Sequence, residues 1–158
     1  MSQSQKVLYR AVFEENVEQL SRVAGKRGDQ ATPSLMNVMM QLRKVCNHPW
    51  LVEGVEQQAI AKEAPDDSAA LTQMLIAASG KLVLLDKLLT RLRSEGHRVL
   101  IFSQMVRMLD VLEDFLVARE MDFARIDGSI TGRRRQAAID RFTSTDSCFA
   151  FLLSTKVI

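Results

Sequence analysis

The sequence predicts an α/β protein in which the strands of a parallel sheet alternate with helices, preceded by a helical segment. Three observations predict it. The runs "RVLIFSQ", "DFARIDG" and "CFAFLLST" are short, apolar and rich in branched or aromatic side chains, as buried strands are. Between them the apolar residues fall at helical spacing, and strand and helix in alternation imply parallel strands joined by right-handed crossovers, with helices covering both sheet faces. The first third of the chain, by contrast, carries only helical spacing.

From Lys6 to Ala24, the residues Tyr9, Phe13, Val17 and Leu20 recur at intervals of four, four and three, which places them on one helical stripe ending near Gly25. "GKRGDQATP" reads as a loop. Ser34 is placed to cap a second helix whose buried face is Leu35, Val38, Met39, Leu42 and Val45, and Asn47 and Pro49 end it. Residues 53–67, "EGVEQQAIAKEAPDD", have few large apolar groups and an acidic bias, and read as a mobile connector. Ser68 then caps a short helix. Beyond it Leu82, Leu85, Leu89 and Leu92 share one face of a helix that Gly96 closes. The two later helices bury Leu109, Leu112 and Leu116, and then Ala138, Ile139 and Phe142.

With 47% apolar and 25% charged residues in 158, the chain has the composition of one ordinary globular domain with room for a helical extension, and no apolar run long enough to span a membrane. The formal net charge of +2 neither demands nor excludes a polyanion, but the basic surplus lies in the second half: residues 81–158 carry 13 basic and 10 acidic groups, residues 1–80 carry 8 and 9. Two distant thiols, Cys46 and Cys148, make no disulfide framework and fit a reducing compartment. The opening "MSQSQKVLYRAV" lacks the pattern of a secretion signal.

In open parallel sheets, ligands sit at the carboxyl ends of the strands. The residues there are Ser103-Gln104, Asp127-Gly128-Ser129 and Ser154-Thr155. Each tip offers a small hydroxyl or a glycine, whose O–H and N–H groups reach phosphate oxygens without obstruction, so three tips of like chemistry suit a row of phosphates. The bland alternative is that the hydroxyls cap the following helices. Arg133, Arg134 and Arg135 open the helix after the second tip, where positive charge opposes the helix dipole and calls for an anion such as a nucleic-acid phosphate.

"RKVCNHPW" offers Cys46 and His48 as metal ligands, but no spacing supplies the other two that zinc needs, so we expect helix termination with a half-buried thiol and imidazole. A phosphate-binding loop of the type G-x-x-x-x-G-K-[ST] is missing: Gly25-Lys26 runs into Arg27 and Gly80-Lys81 into Leu82. No acidic pair at a strand end is placed to hold a metal. We therefore assign no catalytic residue and no metal site, and expect no ATP hydrolysis by this chain alone.

"MMQLRKVCNHPWLV", "SGKLVLLDKLL", "HRVLIFSQMVRMLDVLEDFL", "RIDGSITGRRRQAAIDRF" and "FLLST", in this order, resemble the second RecA-like lobe of the SNF-type helicase-like ATPases, and within it the chromodomain-helicase-DNA-binding remodellers. The resemblance covers about residues 5–52 and 79–155. It implies a helical brace over 5–52, a connector with a short helix over 53–78, and a partial RecA-like lobe over 79–158. It implies a nuclear DNA-translocating motor, holding ATP and Mg between two lobes, whose partners are DNA, nucleosomes and a first motor lobe, with no membrane. On that pattern, Ser103, Gln104, Gly128, Ser129, Ser154 and Thr155 face DNA, joined by Arg133, Arg134 and Arg135.

In that family "LLST" continues into an Arg-Ala-Gly-Gly-Leu-Gly turn, where this chain has "KVI". The expectation is a truncated lobe with an exposed apolar sheet edge. A second reading is a non-enzymatic short isoform that docks on a partner motor lobe. A third, an RNA-helicase lobe, fits "LRKVCNHP" less well.

Overall fold

The computed structural model describes residues 1–17, 33–64, 67–144 and 147–156, with the backbone alone for 33–35. The described residues hold seven α-helices and three strands: α1 Gln3–Glu15, α2 Pro33–Asn47, α3 Val55–Glu63, α4 Ser68–Ala78, α5 Gly80–Ser94, β1 Val99–Ser103, α6 Val106–Ala118, β2 Phe123–Ile126, α7 Gly132–Ser144 and β3 Ala150–Ser154, with a 3₁₀ turn at Pro49–Leu51. Two compact units emerge, Met1–Val83 and Leu84–Ile158, divided within α5. No single helix among the described residues is long and apolar enough to cross a membrane.

The first unit is organised by polar groups at helix ends. Ser2 and Gln5 form a capping box at the start of α1: the Ser2 hydroxyl accepts from Gln5 N–H at 3.1 Å and Gln5 Oε1 accepts from Ser2 N–H at 2.8 Å. The Gln5 side chain is 1% exposed. It also donates from Nε2 to the carbonyls of Val45 (2.8 Å) and Cys46 (3.3 Å), and accepts from Gly80 N–H at 3.1 Å. The last carbonyls of a helix have no partner inside it. At the end of α2 all are satisfied: Lys44 O by His48 N–H (2.9 Å), Val45 O and Cys46 O by Gln5, and Asn47 O by the Ser79 hydroxyl (2.7 Å).

This bonding puts a polar side chain at the buried face of α1, and of the stripe its apolar spacing predicts only Tyr9 is half-buried among the described residues. Gln5 points inward, while Phe13 and Val17 are 44% and 38% exposed, and Leu20, Ala24 and Gly25 lie outside the described residues, as does nearly all of the predicted loop. Helix α2 starts at Pro33, since proline suits a first helical position, so Ser34 is already helical. Val38, Leu42 and Val45 are buried as expected, but Met39 is 49% exposed. Asp67, and not Ser68, caps α4, accepting from Ala70 N–H at 2.7 Å.

The predicted connector contains α3, which buries none of its residues. Its Glu, Gln, Ala and Lys residues are good helix formers, and that local preference outweighs the lack of an apolar face.

His48 is fully buried, not half-buried. Its Nδ1 accepts from Trp50 N–H at 3.1 Å, so Nε2 carries the proton and donates to Leu75 O at 2.9 Å. Burial lowers its pKa below the ordinary 6.5, and the bond to Leu75 only partly opposes the shift. A base with a depressed folded pKa binds fewer protons folded than unfolded. Its contribution is complete above pH 6.5 and is lost as pH falls through the lower, folded value. We expect the urea midpoint of the chain to fall between pH 7.5 and pH 5, and expect His48→Gln to flatten that fall. An equal fall in both proteins would exclude His48 as its source.

In the second unit the strands are ordered β1-β3-β2, all parallel. The chain steps from β1 past β3 to β2, then back to β3. Two right-handed connections running in opposite directions place α6 and α7 on opposite faces. Helix α6 packs on β3 and β1, and buries Leu109, Leu112, Phe115 and Leu116. Helix α7 packs on β2. Its Ala138, Ile139 and Phe142 are only partly buried, against Ala124, Ile126, Cys148 and Phe151.

Side chains alternate along a strand, so Leu100 and Phe102, paired with Phe151 and Leu153, share the face of α7. They remain 53% and 52% exposed. Among the described residues no helix covers β1 on this side, because α7 lies across the far strand.

Candidate nucleic-acid interface

Parallel pairing brings the three predicted tips to one edge of the sheet. Ser103 pairs with Ser154, and Thr155 N–H donates to Ser103 O at 3.0 Å. Ile126 pairs with Leu153, which sets Asp127 beside the end of the central strand. Helices α6 and α7 begin just after the β1 and β2 tips, so their positive N-terminal ends lie at this edge, and neither has an acid in its first turn. Gly132, at the start of α7, has φ +55, a left-handed conformation with open space around it; strain there, and not crowding, favours glycine.

The hydroxyls at the tips are not equivalent. Ser103 Oγ donates to Met105 O at 3.0 Å and accepts from Met105 N–H at 3.1 Å, a local turn at the entry to α6. Ser129 donates both its N–H (2.9 Å) and its hydroxyl proton (2.6 Å) to Asp127 Oδ1. Each of these serines has spent its only hydroxyl proton inside the protein, so contact with a phosphate oxygen requires an exchange of partners. The buried Ser154 accepts from Lys156 N–H at 3.4 Å. Thr155, Gln104 and Gly128 are exposed. Arg133 and Arg134 are exposed on the first turn of α7, and Arg135 is half-buried with an interaction of its own.

Sequence reasoning passed over the residue that organises the second tip. Arg125, in the middle of β2, donates from Nε to Asp127 Oδ2 (2.8 Å) and from Nη1 to Glu113 (2.6 Å), while its Nη2 lies 2.7 Å from both Asp110 and Asp127. Its side chain is 16% exposed. Burial works against the charge, but bonds to Asp110, Glu113 and Asp127 outweigh it and raise the guanidinium above its ordinary range. The bonds from Ser129, and then Arg125, hold the Asp127 carboxyl below its ordinary value in spite of burial. Asp114 is shifted upward by burial, then by Glu113 and Asp110. A charged residue between Ala124 and Ile126, in a strand otherwise apolar, was the available signal.

Nucleotide chemistry finds little support in the described donors. Gly80 N–H is bound to Gln5, a Cβ at Gly80 would meet the Met1 backbone at 3.3 Å, and Lys81 Nζ donates to Asn47 Oδ1 at 2.8 Å. That glycine and lysine serve packing, and Gly25-Lys26 lies outside the described residues. No cluster of three metal-ligating side chains occurs among the described residues.

Residues 80–158 match the family described as the helicase conserved C-terminal domain. Chromodomain-helicase-DNA-binding protein 7 of Homo sapiens is 50% identical over 160 residues, covering 96% of this chain and 5% of that protein. Chromodomain-helicase-DNA-binding protein 8 of Xenopus tropicalis is 51% identical over 159 residues, covering 96% and 7%. The chain thus spans a small fraction of the relatives it matches.

Among solved structures, the Sulfolobus solfataricus SWI2/SNF2 ATPase core in complex with dsDNA matches with a TM-score of 0.74 at 19% identity, over 98% of this chain and 29% of that one. The C-terminal part of the Fun30 ATPase domain matches with a TM-score of 0.73 at 24% identity, over 98% and 66%. The fold is that of the C-terminal lobe of these ATPases.

Proposed function

Given that the chain belongs to the helicase conserved C-terminal domain family, we propose that it is part of the second lobe of an ATP-dependent chromatin-remodelling motor and meets DNA phosphates at the carboxyl edge of its sheet. The convergence of three strand tips and two helix N-termini on one edge carries the reading. It is supported by half-identity to chromodomain-helicase-DNA-binding proteins and by the fold shared with an ATPase core solved with dsDNA. In the complete motor, ATP and Mg lie between this lobe and a first lobe, nucleosomes are the substrate, and the compartment is the nucleus.

The edge sorts its own residues. Thr155 and the Gly128 backbone are exposed there and supply direct contacts, Gln104 is exposed with an interaction of its own to exchange, and Arg133, Arg134 and Arg135 add long-range attraction. Ser103, Ser129 and Ser154 shape the tips and contact phosphate only after their internal bonds exchange.

The test is the affinity of the full chain for duplex DNA across a salt series. Binding that weakens linearly with log salt is expected. Arg133→Ala and Arg134→Ala should each reduce the slope by about one wherever the residue neutralises a phosphate. Thr155→Ala should weaken binding about tenfold or more at every salt, the value of one hydrogen bond to a charged group. A chain that binds no duplex at low salt, or binds with affinity indifferent to all three changes, would remove the phosphate reading of this edge.

A further inference from the structure

Three groups of the second tip are tied into one chain of bonds that reaches back to helix α6. Asp110 and Glu113 on α6 hold two of the Arg125 nitrogens (2.7 and 2.6 Å), Arg125 holds Asp127 Oδ2, and Asp127 Oδ1 holds the N–H and hydroxyl of Ser129. The Asp127 carbonyl closes the turn by accepting from Ile130 N–H at 3.1 Å. Both carboxyl oxygens of Asp127 are therefore engaged, each on a different side of the turn. Arg125 is the only member that touches both the helix and the turn. It is also 16% exposed, whereas Asp110 and Glu113 are 54% and 42% exposed. A planar guanidinium with donors fixed in a fork can grip three carboxylates at set angles, which an ammonium cannot.

We propose that Arg125 is the positioning residue of the strand-end turn, fixing Gly128 and Ser129 at the sheet edge through Asp127, without itself touching the ligand. Its use to the protein rests on the reading of that edge as the phosphate-facing surface; its effect on the turn does not. Asp110 and Glu113 are the anchors that aim it.

Two measurements on the full chain test this. In amide hydrogen exchange, Arg125→Met should speed exchange at Ser129 and Ile130 by about tenfold or more relative to the amides of Ala150 to Leu152, which report global opening. Arg125→Lys, which keeps the charge but loses the fork, should recover part of the protection. Should Arg125→Met not fold, Asp110→Asn combined with Glu113→Gln alters only the partly exposed anchors and should loosen the same two amides.

In the salt series, Arg125→Met should weaken duplex binding while leaving the slope unchanged, whereas a direct phosphate contact would lower the slope by about one. Unchanged exchange at Ser129 and Ile130, exchange rising by the same factor throughout β3, or a reduced slope would each overturn the positioning role. If the unaltered chain binds no duplex, the phosphate reading fails, while the exchange comparison still decides the role of Arg125.

Discussion

Phe115→Ala is expected to lower the unfolding free energy by about 3–5 kcal/mol, the usual cost of emptying a large aromatic site in a core. Phe115 has no exposure at all, and it lies in a stripe with Leu109, Leu112 and Leu116, each at most 3% exposed. Helix α6 is the one described helix of the second unit that lies wholly within it and buries residues in this way, since α7 has none. The sheet is thus sealed mainly from one side. Phe142→Ala on α7 removes a ring only partly buried, 5.0 Å from that of Phe151, and should cost less than half as much. Urea unfolding of both variants decides it; equal losses would mean that the two faces bear equal weight. Loss at Phe115 on this scale would consume much of the stability of a typical domain.

The second large effect is expected from a polar residue. Gln5→Leu preserves volume, yet should destabilise by about 3 kcal/mol, because it removes the partners of several main-chain groups without supplying others. Gln5 Nε2 serves Val45 O and Cys46 O, and Oε1 serves Ser2 N–H and Gly80 N–H. Some of these groups reach water after the change, which is why the expected loss is well below four full penalties. The measurement is a denaturant melt beside that of Val7→Leu, an exposed site on the same helix that should be near neutral. A Gln5→Leu protein as stable as its parent would show that these ends are solvated and not held by the side chain.

Much of the second unit was legible because burial there follows period. Leu109, Leu112 and Leu116 repeat at helical spacing and are buried, and β3 is buried at every position but Leu153. The meeting of Ser103, Asp127 and Ser154 at one edge followed from parallel connection alone. What stayed hidden was polar. The Ser2-x-x-Gln5 capping signature is visible in the sequence, but nothing local says that the same glutamine also closes the end of α2. Arg125 reads as one more charge until the register places it beside α6. Hydroxyl positions were found, but residue type does not disclose where a proton points, and for Ser103 and Ser129 it points inward. Helix α3 was missed because composition was weighed for burial when local preference decides.

The bond from Thr155 N–H to Ser103 O, with Ser103 and Ser154 already paired, has a practical result for anyone altering this edge. Neighbours that share partners do not contribute additively, and their joint changes depart from the sum of single ones. Single changes such as Thr155→Ala report each position, and a variant altering 103 and 154 together is expected to depart from the sum of its two singles, since these residues face each other across the strand pair.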